Sequence, residues 1–231
     1  MRESRQAAVG SRPLASRFAR AVSPTSQRPV VTYTIIALCL VIYGIQYLTG
    51  NVVTDALVYA PALTASEPWR MITSVFAHAS ILHVGLNMYS LFVVGPAVEQ
   101  MLGRVRYIVM FLIAGFAGSV GVLLIASPNT VVLGASGAIF GLFGAYFIIA
   151  RRMGGNASRM LVLIVINLAA GFIPGLNIAW QAHLGGLVGG AALALIYLET
   201  RGPRRRWAQV ALVIAVVVVL IAATIVKVEI F

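Results

Sequence analysis

From residue 30 onward the chain alternates between long apolar runs and short polar joints. Seven runs stand out, at 30–49, 80–98, 106–126, 133–150, 160–173, 178–198 and 207–226. Most reach or approach the ~20 residues that a helix, rising ~1.5 Å per residue, needs to cross ~30 Å of hydrocarbon. The run at 160–173 is short and is taken as a crossing because its neighbours require one. The runs are too long and too evenly apolar for barrel strands, so backbone hydrogen bonding in lipid demands helices. The pattern predicts an all-α, multi-pass membrane protein: a polytopic bundle of seven transmembrane helices. Residues 1–29 lie outside it, as a basic, Ser-rich tail with six Arg against Glu3 alone. A mitochondrial transit peptide shares that composition. The plainer reading is a disordered cytoplasmic tail serving topology, with no cleavable signal peptide ahead of the first span.

Composition agrees with this and excludes a water-soluble domain: 60% of the 231 residues are hydrophobic and 10% charged, against about 25% charged in soluble domains. The net charge of +11 carries the orientation. With the N-terminus in the cytoplasm, Arg104, Arg106, Arg151, Arg152, Arg159, Arg201, Arg204, Arg205 and Arg206 join the six tail arginines on the inside. Only Arg70 and Lys227 fall outside. That is the asymmetry of the positive-inside rule. It argues against nucleic acid as a partner and leaves room for attraction to anionic lipid. The single Cys39 cannot form an internal disulfide. The expected location is a bacterial inner membrane rather than a mitochondrial inner one.

The joint 50–79 is the one long loop. It is amphipathic, with Trp69 and Arg70 in its middle, and Tyr59, Trp69 and Phe76 suggest that it lies in the outer interface. His78, at the loop edge, is expected to be interfacial and structural.

Polar groups within spans are expensive and so are functional candidates. His83 and Asn87 stand four apart on one face of the second span. Ser136, in GASG, opens the fourth, and His183, in AHLGG, lies early in the sixth. Counting from the cytoplasmic ends at ~1.5 Å per residue puts Ser136 at ~21 Å, His183 at ~23 Å, His83 at ~23 Å and Asn87 at ~17 Å. Three helices thus hold polar groups at nearly one level, closer to the outer surface. GxxxG faces at Gly137, Gly141 and Gly144, and at Gly185, Gly186, Gly189 and Gly190, let the fourth and sixth spans approach closely. Such contact would bring the Ser136 hydroxyl to His183, a nucleophile and its general base, as a dyad because no span holds an acid. His83, Asn87 and the Ser136 backbone N–H could serve a developing oxyanion.

Trp69-Arg70, HVGLN at 83–87, GASG at 134–137 and AHLGG at 182–186 follow one another in an order that resembles the rhomboid intramembrane serine proteases. The resemblance covers roughly residues 30–200, a six-helix catalytic core, with 201–231 an Arg-rich joint and an added seventh helix. It implies cleavage of single-span transmembrane substrates inside the bilayer, without metal or cofactor. Ser136 would be the nucleophile, His183 the base, His83 and Asn87 oxyanion donors, and Gly134 the small residue shaping the turn before the nucleophile. It further implies a lateral gate at the fifth span and water access from the outer side. Phe140, a turn after Ser136, departs from the family's frequent Tyr: it can pack on the catalytic His but offers no hydroxyl. A proteolytically silent member that binds or sorts membrane clients is the alternative, and retention of both Ser136 and His183 argues against it. A transporter would want intramembrane carboxylates or inverted repeats, and neither is present.

Overall fold

The computed structural model describes residues 28–173, 175 and 178–230. Nearly all of the tail read over 1–29 lies outside the described residues. Each apolar run forms a helix: α1 (Val30–Leu48), α2 (Ile81–Leu102), α3 (Arg104–Ile125), α4 (Ser136–Arg152), α5 (Ser158–Ala170), α6 (Trp180–Glu199) and α7 (Arg206–Ile230). Five of them (α1, α2, α3, α6 and the stretch containing α7) are long and apolar enough to cross a membrane. α5 has only 13 residues, ~20 Å of rise against a ~30 Å core. α2 continues through Pro96 to Leu102, further than its apolar run suggested, because neighbouring helices can accommodate the hydrogen bond that proline removes.

α4 is the central helix, buried almost continuously from Gly137 to Ala145. It packs most extensively on α6, and α3 lies against both. α1 packs on α2, α5 touches α4 and α6 at the edge, and α7 lies outside α3 and α6. The α4–α6 contact is backbone on backbone. A Cβ on Gly186 would overlap the Gly137 carbonyl, and one on Gly190 the Gly141 carbonyl. Small residues therefore set the helix separation, as they do where lipid supplies no hydrophobic drive between helices.

The start of α1 is closed by a buried carboxylate. Val31 and Thr32 donate their backbone N–H groups to Glu99 at 3.1 and 2.8 Å, and the Thr32 hydroxyl adds a bond of 2.7 Å. A negative charge there meets the positive end of the helix dipole and satisfies two orphan donors.

The long loop is folded over the bundle. Tyr59 forms an isolated antiparallel bridge with Val132, Ala62 N–H donates to Pro128 C=O at 3.0 Å, and Gly134 N–H donates to Ser74 C=O at 2.8 Å. Tyr59 is fully buried and bonded to the Thr64 hydroxyl at 2.9 Å, and Phe76 packs on Phe111 of α3. These two rings point inward and anchor the loop to the bundle, whereas Trp69 is 55% exposed. Burial pushes the Tyr59 phenol up to about 12. Arg70 holds the loop from within, paired with Glu67 at 2.7 Å and donating to the carbonyls of Val58 and Asp55.

Candidate active site

Ser136 is the first residue of α4, so its N–H lies at a helix start, where no carbonyl of the same helix can accept it. The turn before it needs glycine twice over. Gly134 has φ +118°, and a Cβ there would stand 2.7 Å from Nε2 of His83. The stapled segment 132–134 thus delivers the Ser136 hydroxyl to the same end of the bundle where α2 and α6 begin.

His183 is the fourth residue of α6 and is buried. Its ring stacks on Phe140, with centroids 4.1 Å apart and planes 10° from parallel. Phe140 lies one turn beyond Ser136, so a single turn of α4 carries both the hydroxyl and the platform for the imidazole. His183 Nδ1 is buried without a hydrogen-bond partner among the described residues. Stacking therefore orients the ring where a triad would use a carboxylate. The Gly137–Gly186 contact brings Ser136 and His183 to one junction, with the Ala182 carbonyl 3.3 Å from a Cβ at Gly137. No Ser136–His183 hydrogen bond is formed in this conformation. Such bonds often tighten only when substrate is bound. Ser136 is half-buried and lines a cavity of about 30 Å³ with Gly134, Ser119 and Ser74, enough for one water. Ser119 is itself bonded to the Met71 carbonyl at 2.7 Å, tying α3 to the loop.

His83 sits in the first turn of α2, its N–H donating to the Ser80 hydroxyl at 3.2 Å. Its Nδ1 accepts the Ala79 backbone N–H at 3.3 Å. In the neutral ring the proton must then be on Nε2, the nitrogen that faces Gly134. Asn87 is buried one turn further along α2. Its amide nitrogen donates to the His83 carbonyl at 2.9 Å, which leaves a second N–H, while Oδ1 has no partner among the described residues.

His78 departs from expectation. It is only 2% exposed, with its ring edge-on to His83 at 5.2 Å. Gln46 of α1 holds its backbone on both sides, accepting the His78 N–H at 3.0 Å and donating to its carbonyl at 3.3 Å. In the sequence Gln46 is a polar residue near the end of an apolar run, a position that does not by itself distinguish it from a residue at the membrane surface. Burial, helped by the charge of His83 and opposed by the Phe76 backbone, lowers the His78 pKa from 6.5 to about 4. The unfolded chain therefore binds a proton that the folded chain excludes. Stability from this residue is complete above pH 6.5 and is lost as pH falls toward about 4, on the order of 3 kcal/mol in all. Thermal melts in detergent are expected to decline across that window for the native chain and to flatten for His78→Phe. Equal slopes would remove His78 as the cause.

Among the described residues, no group of three His, Cys, Asp or Glu side chains could hold a metal ion. The fold and the site together define a helical membrane protein with a serine and a histidine at one glycine-lined helix junction. The Rhomboid domain matches residues 65–200. YdcA of Bacillus subtilis (strain 168) is 35% identical over 185 residues, covering 76% of this chain and 92% of YdcA. The rhomboid protease GluP of the same organism is 37% identical over 184 residues, 73% of this chain but 35% of GluP. RHOMBOID-like protein 6, mitochondrial, of Arabidopsis thaliana is 34% identical over 160 residues, 66% of this chain and half of that protein. The chain belongs to the rhomboid family, and its relationship to named rhomboid proteases supports an intramembrane protease.

Proposed function

We propose that this chain is an intramembrane serine endopeptidase that cuts single-span transmembrane proteins with a Ser136–His183 dyad. The observation that carries the reading is the turn of α4 that holds Ser136 and, through Phe140, stacks the ring of His183 beside it. His183 takes the Ser136 proton as Oγ attacks the scissile carbonyl, then returns it to the leaving amine. Water, deprotonated by the same imidazole, releases the acyl group. His83 Nε2–H, the free N–H of Asn87 and the Ser136 backbone N–H receive the oxyanion.

The core of 30–200 would form the catalytic unit, with 201–231 attached to it and the N-terminus in the cytoplasm of a bacterial cell. The site would then open toward the outer side, beneath the long loop. α5 supports a lateral approach for substrate: it is short, only Met160 and Ile164 are buried, and it meets the bundle at the edge.

The test is labelling of the purified chain with a fluorophosphonate, with the modified peptide mapped by mass spectrometry. The adduct is expected on Ser136, and His183→Asn is expected to slow its formation steeply. Labelling elsewhere, or equally fast without the imidazole, would overturn the dyad. Asn87→Ala is expected to lose ~2.7–4 kcal/mol of transition-state stabilisation, roughly 10²- to 10³-fold in kcat. Unchanged turnover would remove Asn87 from the oxyanion site.

A further inference from the structure

At the end of the bundle opposite the candidate active site, α7 is fastened to the core by a polar knot. Arg106 of α3 donates to Gln209 at 2.9 Å, and Gln209 donates to the Thr200 hydroxyl at 2.7 Å. Gln209 is the one buried residue of α7, and the Arg106 guanidinium lies 5.7 Å over the Tyr197 ring. Arg201 stands beside this knot with its Nη1 buried and without a partner among the described residues. Burial and the like charge of Arg106 both make its proton easier to lose. A buried guanidinium N–H left unspent beside a second arginine calls for an anion.

The carboxylates at this end are engaged elsewhere. Glu99 closes the start of α1, and Glu199 pairs with Arg152 at 2.6 Å. Arg204, Arg205 and Arg206 add exposed positive charge, and Trp207, 82% exposed, is suited to headgroup depth. From the knot an apolar groove of about 490 Å³ runs along α7 between α3 and α6. It begins at Ile196 and Leu212, one turn from Thr200 and Gln209, and passes Val216 and Gly189 toward Leu184 and Leu124. The twelve helical steps from Ile196 to Leu184 span ~18 Å, the reach of most of a fatty acyl chain.

We propose that this is a structural site for one anionic phospholipid, its phosphate on Arg106 and Arg201 and an acyl chain in the groove between α7 and the core. A phosphate there supplies the acceptor that Arg201 lacks and separates two like charges. The chain fills space that α7 leaves open, so the lipid would join the seventh helix to the bundle. The proposal is independent of the proteolytic reading, because it rests on binding alone.

The full chain, extracted in mild detergent, is titrated with phosphatidylglycerol and with phosphatidylcholine of the same acyl chains and read by native mass spectrometry. One phosphatidylglycerol per chain is expected to be retained at least tenfold more tightly than phosphatidylcholine. Arg201→Gln is expected to erase the preference, Arg201→Lys to keep most of it, and Val216→Trp, which fills the groove, to reduce retention of both lipids. Glycerol 3-phosphate, the same anion without chains, is expected not to compete at equal concentration. Equal retention of the two lipids by the native chain, or displacement by glycerol 3-phosphate at equal concentration, would overturn the proposal without relying on any variant. So would an undiminished preference in folded Arg201→Gln.

Discussion

Ser136→Ala is expected to lower turnover of a transmembrane substrate roughly 10⁴- to 10⁶-fold while leaving the fold intact. The size follows from the proposed role: once the hydroxyl that would form the acyl intermediate is gone, what remains is binding and oxyanion stabilisation alone. The intact fold follows from the surroundings. The Ser136 hydroxyl is half-buried, opens on a small cavity and makes no hydrogen bond among the described residues, so its removal strands no partner. Thermal stability should stay within about 0.5 kcal/mol of the native chain, and substrate should still bind. The measurement is cleavage of a reconstituted single-span substrate beside a thermal melt of the same preparation. Cleavage within tenfold of the native rate would end the serine assignment. A collapsed melt would make the serine structural.

Gly186→Ala is expected to have the other large effect, on stability and activity together. Its new methyl would overlap the Gly137 carbonyl. That obstacle is backbone, which no rotamer change can move aside. The α4–α6 junction must widen, and overpacking of this kind costs about 1–3 kcal/mol or more. Widening also draws His183, one turn earlier on α6, away from Ser136 and Phe140. A misplacement of about 1 Å can cost ~10²-fold in rate, so turnover should fall at temperatures where the variant is still folded. Gly44→Ala on α1 is the control: a Cβ there meets nothing within 4 Å, and it should be neutral or slightly stabilising. If Gly186→Ala melts and turns over like Gly44→Ala, the junction is not what sets the proposed dyad.

The seven helices were legible because hydrophobic run length is a one-dimensional property: a chain in lipid has no other way to satisfy its backbone. The four polar candidates were legible for a related reason. Polar groups are scarce in apolar spans, and helical rise converts their sequence positions into depths. The glycine faces likewise announced a close helix pair before the structure identified Gly137 and Gly141 against Gly186 and Gly190. The burial of Tyr59 and His78 is not legible in the sequence, because an aromatic or imidazole residue in a loop reads alike whether it faces headgroups or is folded under the loop. The role of Gln46 is a contact with His78, 32 residues away, which periodicity does not record.

By itself, then, the sequence determined the class of protein, the number of its main helices and which polar groups stand among the apolar runs. Only the tertiary structure decided how those groups meet. Phe140 stacks on His183 because α4 and α6 touch through glycine. His83 carries its proton on Nε2 because Ala79 donates to Nδ1, and it faces Gly134 because the long loop pins that turn to Ser74. Depth is additive along a helix and can be counted, whereas ring orientation, tautomer and backbone contact depend on distances between segments far apart in the chain.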